Sequence, residues 1–510
     1  MGQAPAEGHA SPTAEVPPRV ALAPGLEASR VVVGLWQVAD MERGGQTLDP
    51  EPASSAMLDY ARAGFDSFDM ADHYGSAELI AGRFLSRVSR GESAGSARPV
   101  AFTKWCPAPG PMTLEIAREA IDRSRKRLGV EAIDLLQFHW WAFDHPAYLD
   151  GMKHLDALRR EGFIRHLGVT NFDTAHLRVL VKHGIPVVSN QVSFSLLDRR
   201  AAGEMSAFCI ENGVSLLAYG ALAGGLMSER WLARLEPGSD EIADWSKMKY
   251  MRFVEAAGGW GVLQSILRAL DAVARKHGVS IANVATRWTL DHPAVAAVIV
   301  GARLGERNHA MENLATFSFA LDKDDRARID AALKFATPIA GDCGDEYRRP
   351  PFLTASGDLS HHLDSMPKAY VAAPVEGRPG RQLVSSGSAF EPIAGYSRAV
   401  KAGDRVLVSG TTATNGADEV VCRGDPAGQT TFILDKIAAS LAAVGASLDD
   451  VVRTRVYLAN ADHWEPVSRA HGRRFGSIRP ANTMLEIGRL IGDYLVEIEA
   501  EAVVEGNDSL

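Results

Sequence analysis

Four residues whose side chains can relay a proton follow one another in the first third of the chain. Asp69 and Tyr74 lie in FDMADHYGSAE, Lys104 lies in VAFTKW, and His139 lies in DLLQFHWW. A phenol with a pKa near 10 donates its proton poorly at neutral pH, so Tyr74 needs a cation that stabilises its phenolate. Lys104 would supply that cation, Asp69 would hold Lys104, and His139 would orient an oxygen of the substrate. The four residues therefore predict acid–base chemistry at a substrate oxygen.

The spacing of these residues suits a repeating architecture. The gaps between Tyr74, Lys104 and His139 are 30 and 35 residues, enough each for one strand, one helix and two loops. Successive parallel strands of a barrel end at the same rim, so the three side chains could converge there. This convergence favours an enzyme.

The elements that must position them alternate along the chain. A hairpin turning at Pro24-Gly25 precedes a strand near Val31, and amphipathic helices separate the later strands. The other predicted strands span 67–71, 100–105, 133–139, 167–170, 187–191, 215–219 and 297–301. Eight such units predict a TIM (β/α)8 barrel of the α/β class.

Two helices can be described in more detail from the sequence. The helix at 113–129 should bury Ile116, Ala120, Ile121 and Leu128 on one face. The helix at 321–335 ends the barrel and should begin after Asp322 as its N-cap.

Composition limits the classes of protein. A chain of 510 residues with 46% hydrophobic residues is too long for one compact core and predicts two domains. The net charge of −9, without a basic run, argues against a nucleic-acid partner. No apolar stretch is long enough to span a membrane, and the N-terminus lacks a signal's apolar core. We therefore predict a cytoplasmic protein without a nucleic-acid or membrane partner.

The cysteines agree with that location. Cys106, Cys209, Cys343 and Cys422 are scattered without the spacing of metal ligands. This usage fits a reducing compartment and predicts no metal site.

Composition shifts also predict the boundaries between segments. We expect a disordered head at 1–18, the barrel at 19–335, a linker at 336–380 and a small α+β domain at 381–510. The linker is rich in Pro, Gly, Asp and His and should dock in part through Phe352, Leu353 and Tyr370.

The barrel segment resembles the aldo-keto reductase family. The motifs that carry this resemblance are Asp69-x-Ala-Asp-x-Tyr74-Gly75, Lys104, His139, LGVTNF (167–172), Gln191 in SNQVSFS, LLAYGALAGGL (216–226), AVIVGAR (297–303) and Glu312-Asn313. The resemblance implies a reductase or alcohol dehydrogenase in which a nicotinamide cofactor supplies hydride and Tyr74 supplies the proton.

The family's cofactor positions carry over where the motifs match. The resemblance implies Thr170, Asn171 and Gln191 at the nicotinamide carboxamide, Tyr219 stacked on its ring, Gly220, Ala221, Leu222 and Gly224 over the pyrophosphate, and Gly301, Ala302, Arg303, His309, Glu312 and Asn313 at the adenosine end. A guanidinium can bind a 2′-phosphate through two bonds, so Arg303 favours NADP over NAD. His309 stands where many relatives have Arg or Gln, and this departure leaves NAD open.

Some residues near these motifs have competing interpretations. Trp105 and Trp140 follow barrel strands and could wall the substrate pocket, as could Trp141, although packing under a loop is an alternative. Asp72 and His73 are expected to shape a loop.

The C-terminal domain resembles the small RidA/YjgF family over essentially its whole length. The resemblance rests on GYSRAVKAGDRVLVSG (395–410), ILDKIAASLAAVGASLDDVVRTRVYLAN (433–460), IRPANT (478–483) and the alternating LVEIEAEAVV (495–504). Ile433, Ile437, Leu441 and Val444 should form the helix's buried stripe, whereas Arg473 and Arg474 should lie on a solvated helix face. The resemblance implies a homotrimer with clefts between subunits.

One cleft position departs from that family. Tyr396 and Glu497 match, but Asn482 stands where active imine deaminases have arginine, and an amide cannot replace a guanidinium toward a carboxylate. Three functions stay open: a carbonyl reductase with a non-deaminating module, a reductase that is also an imine or enamine deaminase, and an NADP-binding redox sensor.

Overall fold

A computed structural model describes residues 16–355, 357–361 and 366–505. The predicted disordered head lies outside the described residues except for 16–18, which lead into the first strand.

The N-terminal part is a closed barrel of eight parallel strands, as predicted. An antiparallel hairpin, β1 (Arg19–Ala23) and β2 (Leu26–Ser29), precedes it and turns at Pro24-Gly25. The barrel strands are β3 (Val31–Gly34), β4 (Ser67–Asp69), β5 (Val100–Trp105), β6 (Ile133–His139), β7 (Ile164–Thr170), β8 (Val187–Ser193), β9 (Ser215–Tyr219) and β10 (Val295–Gly301). β10 pairs with both β3 and β9 and closes the ring. β5 and β6 are buried along their whole length, because helices cover the barrel and side chains fill it.

Helices surround this barrel. They are α1 (Pro50–Arg62), α2 (Ala77–Ser89), α3 (Leu114–Leu128), α4 (Tyr148–Arg160), α5 (Thr174–Lys182), α6 (Glu204–Asn212), α7 (Trp245–Ala256), α8 (Trp260–His277), α9 (Ile281–Leu290), α10 (Ala310–Leu314), α11 (Lys323–Leu333) and α12 (Asp345–Arg348). α11 begins with the predicted cap, since the Asp322 carboxylate accepts from the Asp325 backbone amide. In α3 the prediction for Ile116 is wrong, because Ala117 is buried and Ile116 is 40% exposed.

Short 3₁₀ segments occur in the connections. They span Trp36–Val38, Asp40–Arg43, Arg200–Ala202, Ala223–Gly225, Glu229–Trp231, Ala315–Phe317, Leu359–His361, Leu448–Asp450 and Ala461–His463. Among the described residues, none of the helices has both the length and the apolar character needed to cross a bilayer.

The C-terminal part is a seven-stranded sheet with a long helix packed on one face. Its strands are β11 (Val371–Pro374), β12 (Arg381–Ser385), β13 (Ala399–Ala402), β14 (Arg405–Thr412), β15 (Val451–Leu458), β16 (Ala481–Glu486) and β17 (Val496–Val503), and its helices are α13 (Phe390–Ala394), α14 (Pro426–Ala443) and α15 (Trp464–Phe475). β17 buries every second residue, which confirms the predicted alternation. The predicted stripe of α14 is buried as well.

Helix α14 is buried almost all round, because it packs on its own sheet and also on the barrel helix α5. Phe432 on α14 meets the ring of Tyr148 on α4 edge-on, with centroids 6.2 Å apart. The helix-covered face of the C-terminal domain is therefore docked on its own barrel, and the opposite sheet face stays open.

Ion pairs cross this contact. Arg178 on α5 donates two hydrogen bonds of 2.7 Å to Asp425. Arg473 pairs with Glu204 on α6, across the contact. Arg474 has only 15% of its side chain exposed and lies 3.6 Å from Asp435, a buried residue of its own domain. The prediction of a solvated face is therefore wrong for Arg474, which is largely covered, whereas Arg473 is exposed although it pairs with the barrel.

The segment predicted as a linker contributes to both parts. It contains α12, which packs at the barrel rim, and β11, which pairs with β12 at the edge of the C-terminal sheet. Leu353 is buried, while Phe352 and Tyr370 are partly buried.

Candidate active site

The predicted proton-relay residues converge at the carboxyl ends of β4, β5 and β6. Lys104 Nζ lies 2.6 Å from Asp69 Oδ2 and donates to the backbone oxygen of Met70 at 3.0 Å. The same ammonium lies 5.1 Å from the ring centroid of Tyr74. The cation is thus held by Asp69 and lies close enough to stabilise negative charge on Tyr74.

Two amides hold the other oxygen of Asp69. Gln137 Nε2 donates to Asp69 Oδ1 at 2.8 Å, and Gln191 Nε2 donates to it at 2.7 Å. With Lys104 on the first oxygen, the carboxylate is fully bonded although it is buried, as a buried charge requires. Gln191, predicted to contact the nicotinamide, thus also braces Asp69.

Burial sets the protonation of the two groups that would touch a substrate. It raises the pKa of the Tyr74 phenol well above its ordinary value, and the charge of Asp69 raises it further. It lowers the pKa of His139 well below its ordinary value, and the charge of Arg348 lowers it further. At neutral pH Tyr74 therefore keeps its proton and His139 is uncharged. His139 Nε2 is buried without a hydrogen-bond partner.

A cavity of about 1260 Å³ connects these side chains with the predicted cofactor residues. Its lining includes Tyr74, Lys104, His139, Thr170, Asn171, Gln191, Tyr219, Gly220, Leu222, Gly224, Gly301, Arg303, His309, Glu312 and Asn313. Ala221 and Ala302 are buried beside it and are not part of the lining. The volume exceeds that of most sites for one drug-sized ligand and suits a dinucleotide together with a substrate.

The part of the cavity predicted to hold the nicotinamide contains polar groups that are held in place. Asn171 adopts a φ of 56°, a left-handed conformation that is strained for a residue with a side chain. Its backbone amide donates to Gln191 at 2.8 Å, and its side-chain oxygen accepts from the Tyr219 hydroxyl at 2.8 Å. Thr170 Oγ1 is buried without a partner, so a ligand group could satisfy it.

The loop after β9 needs glycine at two positions. Gly220 has a φ of 78°, and a Cβ there would lie 2.3 Å from the hydroxyl of Tyr250. A Cβ at Gly224, where φ is 63°, would lie 3.0 Å from the backbone of Ser246. Both residues keep backbone at the cavity wall, as close contact with a pyrophosphate requires.

The part of the cavity predicted to hold the adenosine is rich in charged side chains. Arg303 is half exposed and lies 3.6 Å from Asp244 and 3.8 Å from Glu306, so neither contact is a tight pair. Glu312 is engaged more closely, by Arg307 at 2.8 Å and His309 at 2.6 Å.

The family model of the aldo/keto reductases matches residues 30–334, which contain the barrel and this site. The chain belongs to the aldo/keto reductase family. It is therefore an oxidoreductase. Aldo-keto reductase YhdN of Bacillus subtilis is 25% identical over 337 residues, which cover 64% of this chain and 96% of YhdN. The structure of the glycerol dehydrogenase AKR11B4 from Gluconobacter oxydans has a TM-score of 0.50 and 22% identity, and the match covers 62% of this chain and 95% of that one. This last similarity concerns the fold alone.

A second family model, Endoribonuclease L-PSP, matches residues 386–504 and confirms the predicted RidA/YjgF resemblance. The Streptomyces coelicolor protein SCO2049, named as uncharacterized, is 42% identical over 127 residues, which cover 25% of this chain and 94% of SCO2049. The chain therefore joins an aldo-keto reductase barrel to a RidA-like domain.

The tryptophans of the aldo-keto reductase site differ from expectation. Trp105 and Trp140 do not line the cavity. Both are buried and pack against Phe138, with ring centroids 5.5 and 5.7 Å away. Trp36 and Trp141 line the cavity instead. A tryptophan at the end of a strand can line the cavity or pack beneath a loop. For Trp105 and Trp140, the packing around Phe138 decides between these alternatives.

Asp72, His73 and Cys106 form a group at the rim. The atoms of these side chains that could bind a metal ion lie within 4.8 Å of one another. His73 Nδ1 lies 3.1 Å from Asp72 Oδ1. Their separation along the chain did not indicate this grouping. His73 is exposed, and the histidine–aspartate contact fits the predicted loop-shaping role.

The sequence analysis missed a set of residues that α7 and α12 bring to the cavity. Lys249 Nζ donates to the Tyr347 hydroxyl at 2.8 Å, and both line the cavity. Behind them Glu346 forms a buried ion pair of 2.8 Å with Arg200 and accepts from Tyr219 at 3.2 Å. The one available signal was the charged run DEYRR (345–349) within a segment otherwise typical of a linker.

The RidA-like cleft residues are not together within one chain. Glu497 Oε1 lies beside Gly410: a Cβ added to that glycine would be 2.0 Å from the carboxylate oxygen. Arg398 connects this position with Tyr396, and its guanidinium lies 5.5 Å from the Tyr396 ring. Asn482 instead donates to Thr454 Oγ1 at 2.9 Å. Thr454 also contacts His471 on α15 at 3.0 Å, so Asn482 faces the helix-covered side of the sheet.

Proposed function

We propose that the protein interconverts a small aldehyde or ketone and its alcohol by hydride transfer with a nicotinamide cofactor. One observation carries the proposal: the unpaired, buried Nε2 of His139 and the protonated phenol of Tyr74 face the same cavity. A carbonyl oxygen placed between them would satisfy the histidine and receive the proton.

The chain's own groups supply the acid–base part of the reaction. Tyr74 holds its proton until negative charge develops on the substrate oxygen, since burial disfavours the free phenolate. The Lys104 ammonium, 5.1 Å from the ring centroid, then stabilises the phenolate that remains. Neutral His139 hydrogen-bonds the oxygen and orients the carbonyl. A bound nicotinamide supplies or accepts the hydride.

The residues present fit such a cofactor. Thr170 Oγ1 offers an unsatisfied buried hydroxyl at the nicotinamide end, and Asn171 and Tyr219 are fixed by their mutual hydrogen bond. Gly220 and Gly224 leave backbone open to a pyrophosphate. These residues would hold the cofactor along the cavity.

We propose NADP as the preferred form. The Arg303 guanidinium has only loose contacts with Asp244 and Glu306, so it is available for a 2′-phosphate through two bonds. The carboxylates of Asp244 and Glu306 would repel the doubly charged 2′-phosphate. NAD is therefore the alternative cofactor to be tested.

A spectrophotometric screen tests the proposed reaction. Purified full-length protein is mixed with NADPH or NADH and a panel of aldehydes, ketones and pyridoxal, and the loss of cofactor absorbance is followed; the reverse assay uses NADP with alcohols and sugars. Tyr74→Phe should lower kcat by about 10²- to 10⁴-fold while NADPH still binds. Normal turnover by this variant, or no turnover by the wild type with any substrate, would contradict the proposal.

We propose that the RidA-like domain is not a deaminase. Asn482 carries no charge, and its amide is engaged by Thr454 on the side of the sheet away from Glu497. Full-length protein incubated with imines or enamines derived from amino acids should therefore release no ammonia. An ammonium assay measures this.

We also propose that the protein is a cytoplasmic homotrimer through the open face of the C-terminal sheet. Four free cysteines fit a reducing compartment. Leu407, Leu383 and Leu485 leave 46%, 36% and 42% of their surface exposed on strands of that sheet. Association of three copies would bury such a face, whereas the helix-covered face is already used by the barrel.

A further inference from the structure

Lys249 lines the cavity. It belongs to α7, and its ammonium lies 4.8 Å from the ring centroid of Tyr219 and 4.7 Å from that of Tyr347. The Tyr347 ring in turn meets the His139 ring edge-on, with centroids 5.6 Å apart. One aromatic ring therefore separates the ammonium from the histidine that would orient the carbonyl.

Lys249 differs from two other lysines of the cavity. Those two form ion pairs, Lys104 with Asp69 and Lys247 with Asp244. Among the described residues, no ion pair within 4.0 Å includes Lys249, and its hydrogen bond goes to the phenol of Tyr347.

The nearby acid is already engaged. Glu346 forms its ion pair with Arg200 and accepts from Tyr219. Burial lowers the pKa of the Lys249 ammonium, but the charge of Glu346 still acts on it from a distance and helps to raise that pKa. Because its hydrogen bond goes to a neutral hydroxyl, this partly buried ammonium has lost part of its hydration without gaining a contact ion pair. An anion bound beside Lys249 would compensate for the lost hydration.

We propose that Lys249 binds a carboxylate of the substrate, so that the preferred substrates are carbonyl compounds that carry a carboxylate about one aromatic ring away from the reacting carbon. This inference rests on the proposed reductase function. Tyr347 would act as a positioning residue, because its hydroxyl holds the ammonium and its ring lies against His139.

A matched pair of aldehydes tests the inference. Full-length protein is assayed with NADPH and either para-carboxybenzaldehyde or the methyl ester of that acid, which differ in charge at the far end of the ring. We expect the ratio of kcat/KM, acid over ester, to fall by about 10- to 100-fold in Lys249→Met, as loss of a hydrogen bond between charged groups predicts. Lys249→Arg should restore most of the ratio.

The control is Lys247→Met, which removes a lysine of the same helix and the same cavity that is already paired with Asp244. Its ratio should stay within about twofold of the wild-type ratio. Tyr347→Phe should lower the ratio by less than Lys249→Met, because the ammonium remains but loses its anchor.

The outcomes separate this inference from the proposed function. If the wild type reduces neither aldehyde nor any other carbonyl, the reductase assignment itself fails. If it reduces both and Lys249→Met leaves the ratio unchanged, Lys249 does not read the substrate charge. If fluorescence titration shows that Lys249→Met weakens NADPH binding while the ratio is unchanged, Lys249 binds the cofactor and the inference is overturned.

Discussion

Asp435→Asn would test whether a buried histidine joins the two domains. His176 on barrel helix α5 lies between two carboxylates: its Nδ1 is 2.7 Å from Asp173, and its Nε2 is 3.1 Å from Asp435 on α14. Tyr148 also donates to Asp435 at 3.0 Å. The substitution keeps the shape of the side chain and removes one charge of this cluster.

The expected loss follows from burial. His176 is 2% exposed and Asp435 is 0% exposed, and removing one partner of a buried ion pair costs about 3–5 kcal/mol. His176 keeps Asp173, so we expect the lower end, about 3 kcal/mol in the free energy of unfolding. Arg474, 3.6 Å from Asp435, loses a carboxylate in the same change.

This loss should depend on pH. Burial lowers the pKa of His176, but the carboxylates of Asp173 and Asp435 outweigh it and raise the pKa above its ordinary value. A raised folded-state pKa gives stability that is complete below the unfolded value of about 6.5 and disappears as pH rises through the folded value. The cost of Asp435→Asn should therefore be largest at acidic pH and smaller in alkali.

Denaturant unfolding at about pH 6 and about pH 9 measures this difference, with tryptophan fluorescence and circular dichroism as probes. Asp425→Asn is the matched control. Asp425 also forms an ion pair across the domain contact, but its partner Arg178 does not titrate in this range. A cost for Asp435→Asn below about 1 kcal/mol, or a cost with no more pH dependence than that of Asp425→Asn, would refute the reasoning.

Three further predictions concern the cofactor and the assembly. Arg303→Ala should weaken NADPH binding by about tenfold or more and NADH binding much less, because only NADPH has the 2′-phosphate; equal losses in titrations of both would show that Arg303 is misassigned. Gly220→Ala should weaken either cofactor and lower stability by about 1 kcal/mol, since a Cβ would meet Tyr250 at a positive φ; unaltered binding in the same titrations would argue against a cofactor loop here. Leu407→Glu should convert a trimer to monomers in light scattering, because it places a charge on the open sheet face; a wild type that is already monomeric would contradict the trimer.

Local pattern was sufficient for the barrel. The predicted strands agree with β3–β10 to within a few residues, because hydrophobic runs and turn residues are properties of neighbouring positions. The convergence of Tyr74, Lys104 and His139 followed from strand order alone, since parallel strands of a barrel end at one rim. The cap at Asp322 was likewise predictable, because an N-cap bonds within three residues.

Local pattern did not predict which face of a helix or strand is buried by its neighbours. Ile116 fits the apolar stripe of α3 but lies in solvent, and Trp105 and Trp140 pack around Phe138 instead of walling the pocket. Arg473 and Arg474 both fit a solvated helix face, yet Arg474 is largely covered and lies beside the buried Asp435. Periodicity gives the faces of an element, whereas its neighbours decide which face is buried.

The contacts that complete the site join residues far apart in the chain. Lys249 meets Tyr347 across 98 positions, and His176 meets Asp435 across 259. No local preference encodes such pairs, because they form only when α12 folds back on the barrel rim and α14 docks on α5. The sequence by itself therefore determined the fold, the family and the convergence of the predicted acid–base residues. The tertiary structure decided which further side chains line the cavity and how the two domains join, since both depend on packing between elements that are remote in sequence.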